Sequence, residues 1–295
     1  RRPRSRLDAR TVGNVPHLQP TRFSLKLPAN FTCTIRKVPA AEPSSFVQLQ
    51  ISDGVAEIML NRPPLNVLDI EMLRQINARL AGCASSSVRV VIIRSLVDRA
   101  FSAGVEIRDH TSGRLPAMLA EVREQAQRLL TLDAVTIAAI HGLTLGGGAE
   151  LALLCDEVEA AEDTGFGFPE ITLGAFPPIA AGLLPERSTW PRAIRLLFGN
   201  TVPAQTAKEL GVVSEVVPSE TLVSSARARA RVLASFSGVA VRGLLRATRG
   251  ARAAETMGRI DRAIEVYKDV IAPSGDAQEG IDAFVQKRKP AWSHR

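Results

Sequence analysis

Aromatic residues make up only 4% of this 295-residue chain, and cysteine occurs three times. Without interleaved aromatics there is no stacking platform of the kind that holds single-stranded nucleic acid. Cys33, Cys83 and Cys155 form an odd, widely spaced set with no C-x-x-C pair. That argues against a disulfide framework or a thiolate zinc site and suits a reducing compartment. The four histidines, His17, His110, His141 and His294, also lack metal-ligand spacing, so no metal is expected. No run approaches the roughly 18 consecutive apolar residues of a membrane span. "RRPRSRLDAR" is followed by no apolar signal region. Nucleotide fingerprints are missing as well: no glycine leads into the Lys-Ser/Thr pair of a P-loop, "GGGAEL" does not match G-x-G-x-x-G, and "GFGFPE" starts that pattern and then leaves it.

What is present is an ordinary globular composition, 45% apolar and 23% charged, with a pI near 9.9. The basicity is local. Residues 1–45 hold nine Lys/Arg against two Asp/Glu, while the remaining body carries 28 of each and is electrically balanced. A basic arm can bind nucleic acid or an anionic surface, but scattered prolines and the lack of periodicity read more simply as a solvated, disordered extension. As an organellar transit peptide it is a weak match, because the prolines spoil an amphipathic helix.

Order is expected from Phe46. "FVQLQISDGVAEIMLNR" alternates on both sides of Ser52-Asp53-Gly54 and reads as a hairpin. After the "NRPPLN" turn, Asp69 can cap a helix with Met72, Leu73, Ile76 and Leu80 on one face. "VRVVIIRS" (88–95) is a β-branched run, the mark of a strand covered on both sides. A long loop (96–114) and a helix bearing Leu115, Met118, Leu119, Val122, Ala126 and Leu129 follow. "VTIAAIHG" (135–142) and "DEVEAAE" (156–162) read as strands, and "GVVSEVVP" (211–218) as a short one among helices. Ile260, Ile264, Tyr267 and Ile271 form an apolar stripe, and Asp276 with Glu279 makes a capping box ahead of Ile281 and Phe284. The pattern is an α/β core over 46–210 and a mainly helical region over 211–295.

The stretch "LGGGAELALLCD" (145–156) carries the chemistry. A strand that ends near Gly142 enters a helix beginning inside the glycines. The first N–H groups of a helix lack internal partners and sit at the positive end of its dipole. Bare glycine backbone there can meet an oxygen that gains negative charge, which makes half of an oxyanion hole. Glu150 follows in the first turn. In "GFGFPEITLG", Glu170 lies between Pro169 and an apolar stretch, where a carboxyl should titrate high. Two such carboxylates can hold one water, one as base and one as acid.

"FSAGVEIRDH", "IHGLTLGGGAELALLCD", "FGFPEITLGAFPP" and "DAQEGIDAFVQKRKPAW" together resemble the enoyl-CoA hydratase/isomerase (crotonase) superfamily over about residues 46–292. The resemblance implies a crotonase-like spiral of ββα units with a C-terminal α-helical trimerisation region. It implies an acyl-CoA thioester substrate, with coenzyme A as part of the substrate and no separate cofactor, and a homotrimer or a dimer of trimers. Carried over by position, the oxyanion donors would be the N–H groups of Val105 and Gly147. Glu150 and Glu170 match the two catalytic glutamates, and Ala103, Gly104, Val105, Glu106, Ile107 and Arg108, with Gly146, match the stretch that lines the coenzyme A path. The setting implied is cytoplasmic, or the mitochondrial matrix in a eukaryote.

The chain departs from straight-chain hydratases at "VEIRDH" and "FPPIAAGLLP". Together with "PPLNVLDIEML", those segments resemble the cyclohexa-1,5-diene-1-carbonyl-CoA hydratases, which add water to a conjugated cyclic dienoyl-CoA. Straight-chain hydration and enoyl-CoA isomerisation remain alternatives, although isomerisation usually needs one carboxylate and this chain keeps two. An RNA-binding relative that uses the basic arm is an alternative of another class, and the neutral body argues against it. Asp109 and His110 are read as loop-stabilising, His141 as a hydrogen-bonded strand residue, Cys155 as core, and Trp190 and Trp292 as packing.

Overall fold

The computed structural model describes residues 45–295 apart from Ser86 and Asn200, so the basic arm, with Cys33 and His17, lies outside the described residues. β1 (Val47–Ser52) and β2 (Val55–Leu60) pair antiparallel across Asp53 and Gly54, whose φ angles of 54° and 83° are those of a tight two-residue hairpin turn. α1 (Ile70–Gly82) starts where the Asp69 carboxylate accepts the Met72 N–H at 2.9 Å, and it buries Met72, Leu73, Ile76 and Leu80 as its periodicity requires.

The chain then repeats one pattern three times: a strand in a large sheet, a short strand in a small sheet, then a helix or turn. The units are β3 (Val90–Ser95), β4 (Ala100–Ser102) and α2 (Leu115–Thr131); β5 (Val135–Ile140), β6 (Leu143–Leu145) and α3 (Gly147–Leu153); and β7 (Glu157–Ala161), β8 (Gly165–Gly167) and α4 (Pro178–Arg187), with a 3-10 turn at Pro169–Leu173 between the last two. This is the spiral of ββα units expected from the resemblance. The rest runs through α5 (Trp190–Leu197), β9 (Thr201–Pro203), α6 (Ala204–Glu209), β10 (Glu215–Val217), α7 (Leu222–Ala234), the long α8 (Gly238–Val266), a π-helical turn at Tyr267–Ile271, and α9 (Gly275–Val285).

The large sheet has the order β1-β2-β3-β5-β7-β10 and is parallel from β2 onward. Its two faces explain the β-branched run in β3. Val91 and Ile93 enter the main core with residues of α1 and α2, whereas Val90 and Ile92 meet Ala226, Ala230 and Ala234 of α7 on the opposite face. Each such buried aliphatic side chain contributes about 1.5–3 kcal/mol.

The small sheet, β4-β6-β8-β9, builds the site. β4, β6 and β8 are adjacent and parallel, with Leu143 opposite Ala100 and Gly165. Whatever follows each of these strands therefore emerges at one edge: Gly104-Val105 after β4, Gly146-Gly147 after β6, and Glu170 after β8. Segments far apart in sequence converge because three short strands end together, where open sheets commonly bind ligands.

Four local expectations change. The stretch 96–114 is not a plain loop but holds β4 and a 3-10 turn at Ile107–His110, and residues 143–145 form β6 instead of leading straight into a helix. The cap of α9 is Ser274, whose hydroxyl accepts the Ala277 N–H; Asp276 instead binds the backbone of Ser293 and His294, and Glu279 binds Arg288 and the Ala291 N–H. The acidic pair thus ties the chain's end to α9 and does not form a capping box. Trp190 does not pack: it opens α5 with 66% of its surface exposed. Among the described residues, no helix is long and apolar enough to cross a membrane.

Candidate active site

The three glycines after β6 serve three different neighbours. Gly146 has φ 51° and ψ −128°, a conformation that L side chains rarely adopt. A Cβ there would lie 2.5 Å from Glu170 Oε1. On Gly147 a Cβ would meet Val105 Cγ2 at 2.5 Å, and on Gly148 it would meet Ser102 Cβ at the same distance. Missing side chains therefore let α3 start against β4 and leave room for Glu170. The space opened by Gly147 is filled by Val105, so close packing and an exposed N–H are joint properties of one contact.

Val105 and Gly147 carry the paired N–H groups. Val105 is fixed on both sides: the Leu68 N–H donates to Gly104 O and the Glu106 N–H donates to Leu68 O, each near 3 Å. Gly104 N in turn donates to Ser102 Oγ, which donates to Asn66 O. The Val105 N–H and the Gly147 N–H have no acceptor among the described residues. The ideal Gly147 Cβ position lies 3.5 Å from Val105 N, so the two donors are neighbours. Two unspent backbone donors side by side, one at a helix N-terminus, can bind a carbonyl oxygen and its developing negative charge.

Beside them, Glu150 is 3% exposed. Its Oε1 accepts the N–H groups of Ile179 (2.7 Å) and Ala180 (2.9 Å) at the start of α4. Burial pushes its pKa up, and the two backbone donors oppose that shift. Glu170 is pushed up by burial and then by the charge of Glu150. Its Oε2 is buried with no partner among the described residues. The two carboxyls thus differ: backbone donors at Glu150 partly offset its burial, whereas at Glu170 the Glu150 charge adds to the effect of burial.

These groups line one cleft of about 1050 Å³ that includes its open mouth. Of the residues matched to the coenzyme A path, Ala103, Gly104, Val105, Ile107 and Gly146 line it. Glu106 and Arg108 do not: Glu106 accepts the Arg108 N–H, and Arg108 points to solvent. Asp109 is buried and structural, bound by the Ile70 N–H and Arg114. His141 Nε2 lies 2.9 Å from Val97 O, and Cys155 is fully buried. His110 has a double character, since its Nδ1 lies 3.2 Å from Glu106 O while its ring lines the cleft, and burial lowers its pKa.

Several lining residues come from beyond the motif segments. Met118, Leu119, Val122, Tyr267 and Ile271 are among them, and they line the cleft together with Phe176, Gln278 and Ile281 of the motif segments. Tyr267, 4% exposed, stacks obliquely on Phe176 with centroids 5.3 Å apart. Its only sequence signal is a place in an apolar stripe, which reads as packing. Among the described residues, no group of three or more His, Cys, Asp and Glu side chains is placed to hold a metal ion.

Comparison with known proteins gives a consistent result. The family model described as enoyl-CoA hydratase/isomerase matches residues 50–295. The 2,3-dehydroadipyl-CoA hydratase of Escherichia coli (strain K12) is 34% identical over 243 residues, covering 81% of this chain and 94% of the relative. A probable enoyl-CoA hydratase of Bacillus subtilis (strain 168) is 33% identical over 254 residues, covering 83% and 98%. The crystal structure of an enoyl-CoA hydratase/isomerase from Xanthobacter autotrophicus Py2 superposes with a TM-score of 0.75 at 30% identity, covering 82% of this chain and 93% of that one.

Proposed function

We propose, from the premise that this chain belongs to the enoyl-CoA hydratase/isomerase family, that it adds water to the conjugated double bond of an enoyl-CoA thioester. The observation that carries the reading is the placement of two unlike glutamates, Glu150 buried and Glu170 half-buried with its Oε2 enclosed, beside two unspent backbone N–H groups. The thioester oxygen accepts from Val105 and Gly147, which draws electrons toward it and makes Cβ electrophilic. Glu150, whose anionic form accepts from Ile179 and Ala180, takes a proton from water as the water oxygen bonds to Cβ. The π electrons pass to an enolate on the thioester, and Glu170 gives its proton to Cα. One water is added across one double bond, and the proton taken by Glu150 returns to Glu170 through solvent to reset the site. Coenzyme A enters as part of the substrate, past Ala103, Gly104 and Ile107.

Phe176 and Tyr267, with Met118, Leu119 and Val122, give the cleft an apolar and partly aromatic wall. A flat conjugated ring fits such a wall, which supports a cyclic dienoyl-CoA as substrate; a straight-chain enoyl-CoA also suits it. The exposed Trp190, Phe198, Phe284 and Val285 support a trimeric assembly, and the unpaired cysteines support a reducing setting, cytoplasmic or in the mitochondrial matrix.

Purified protein assayed with crotonyl-CoA and with a cyclohexadienecarbonyl-CoA tests the reading. Hydration of at least one is expected, with kcat falling about 10²-fold or more in Glu150→Gln and in Glu170→Gln. Full activity in either variant refutes the two-carboxylate mechanism.

A further inference from the structure

Two carboxyls can engage both hydrogens of a water molecule, but its oxygen is then fixed only if a donor reaches the lone pair not used in attack. The N-terminus of α4 faces the cleft and would be the natural source. It has nothing to give: Pro177 and Pro178 carry no N–H, and the next two donors, Ile179 and Ala180, are taken by Glu150 Oε1. His110 directs Nδ1 at the Glu106 carbonyl, which can only accept, so its remaining nitrogen is an acceptor. The Ser112 hydroxyl is exposed at the mouth.

One hydroxyl is left among the lining residues, that of Tyr267, whose ring is buried. Tyr267 opens the π-helical turn that follows α8, a type of turn that recurs at functional sites. Its ring is held between Phe176 and His110, with centroids at 5.3 and 6.4 Å. Its hydroxyl has no hydrogen-bond partner among the described residues and is open to a molecule in the cleft. Burial, then Glu170, then Glu150 push its pKa up, so it remains a neutral O–H donor wherever the carboxylates work. Tyr267 lines the same cleft as Glu150 and Glu170, whose Oε2 has no partner among the described residues.

We propose that the Tyr267 hydroxyl donates the third hydrogen bond to the water held by Glu150 and Glu170, and so aims the water oxygen at Cβ of the enoyl thioester. In the reverse direction the same O–H receives the departing hydroxide. The proposal rests on the hydratase reading above. It assigns a direct role in water addition to the C-terminal helical region, which the glycine and glutamate motifs leave out.

The test is Tyr267→Phe in the full chain, which keeps the ring contact with Phe176 and removes one oxygen. Hydration of crotonyl-CoA and of the cyclic dienoyl-CoA is measured as kcat and KM, beside the melting temperature. A second measurement is exchange of the Cα hydrogen of butyryl-CoA in D2O. That exchange uses the oxyanion donors and a carboxylate to remove a proton and return a deuteron, and it adds no water. Expected are a kcat for hydration lower by about tenfold, a KM within about twofold of wild type, and an unchanged exchange rate. An unchanged kcat, or a raised KM at constant kcat, overturns the proposal. So does an equal fall in hydration and exchange, which would mark general damage to the site. A wild-type protein that hydrates neither thioester overturns the hydratase reading and the proposal together; an active wild type with an equally active Tyr267→Phe overturns the proposal alone.

Discussion

A single methyl group at position 147 should act on the site through the residue opposite. The Cβ of Gly147→Ala would lie 2.5 Å from Val105 Cγ2, whereas carbon atoms in contact settle at about 3.5–4.0 Å. Roughly 1 Å of movement is therefore required, and Val105 is the residue that bears the other N–H donor. A misplacement of about 1 Å in reacting geometry can reduce the rate about 10²-fold, which is also the lower end of what losing one oxyanion donor does. Overpacking of this kind lowers stability by about 1–3 kcal/mol. Position 147 has no positive φ, so alanine adds no backbone strain there. The second variant is Val105→Ala, which removes Cγ2. The next contacts for the new Cβ are then Val105 N at 3.5 Å and Val105 Cβ at 3.7 Å, both ordinary. The assay is the initial rate of enoyl-CoA hydration for wild type, both single variants and the double variant, with melting temperatures. Gly147→Ala should lose about 10²-fold in kcat/KM, Val105→Ala should stay near wild type because only its N–H is used, and the double variant should return to within about tenfold of Val105→Ala. A fully active Gly147→Ala refutes the oxyanion assignment. A double variant as slow as Gly147→Ala refutes the coupling through Val105.

Two further outcomes follow from the carboxylates. The pKa of Glu170 is raised in the folded protein, so its folding contribution is greatest below the unfolded value near 4.5 and is lost as pH rises through the raised folded value. Glu170→Gln, a neutral stand-in for the acid, should then gain a few degrees of melting temperature over wild type at pH 8 and much less at pH 4; a difference that does not change with pH contradicts the assignment. Gly146→Ala would put a Cβ 2.5 Å from Glu170 Oε1 on a backbone with φ 51°. It should lower the melting temperature and, by displacing Glu170, reduce kcat by about 10²-fold; wild-type kcat in this variant argues that Glu170 does not act in the reaction.

The elements legible in the sequence are those whose cause is local. Asp69 caps α1, Asp53-Gly54 turns the hairpin, and the unbroken β-branched run of β3 marks a strand with two covered faces. The short strands β4, β6 and β8 were not legible as a sheet, because three residues carry no periodicity and their pairing is set by their neighbours. Glu150 and Glu170 stood out as carboxylates in apolar surroundings, yet what distinguishes them, the Ile179 and Ala180 donors on one and the orphaned oxygen on the other, is tertiary. The acidic pair on α9 had the spacing of a capping box and was recruited by the chain's end instead, since Ser274 already held the cap. Tyr267 was hidden in a stripe of isoleucines. A ring that fills a core and a ring that lines a cleft look the same in one letter.

The 3-10 turn that carries Glu170 is short and has no side-chain cap. Its support is α9, which lies so near that any side chain at Gly280 would run into the Leu173 carbonyl, while a Cβ at Gly174 would meet the Asp276 carbonyl at 2.6 Å. During translation at about 5–20 residues per second, Glu170 emerges well before residues 275–285 exist to brace it. The nascent chain can complete its parallel sheets and its paired N–H groups while the turn that bears Glu170 is still unsupported. The turn that carries Glu170 thus waits longest for its support, and the cleft is complete only when the last helix docks against that turn.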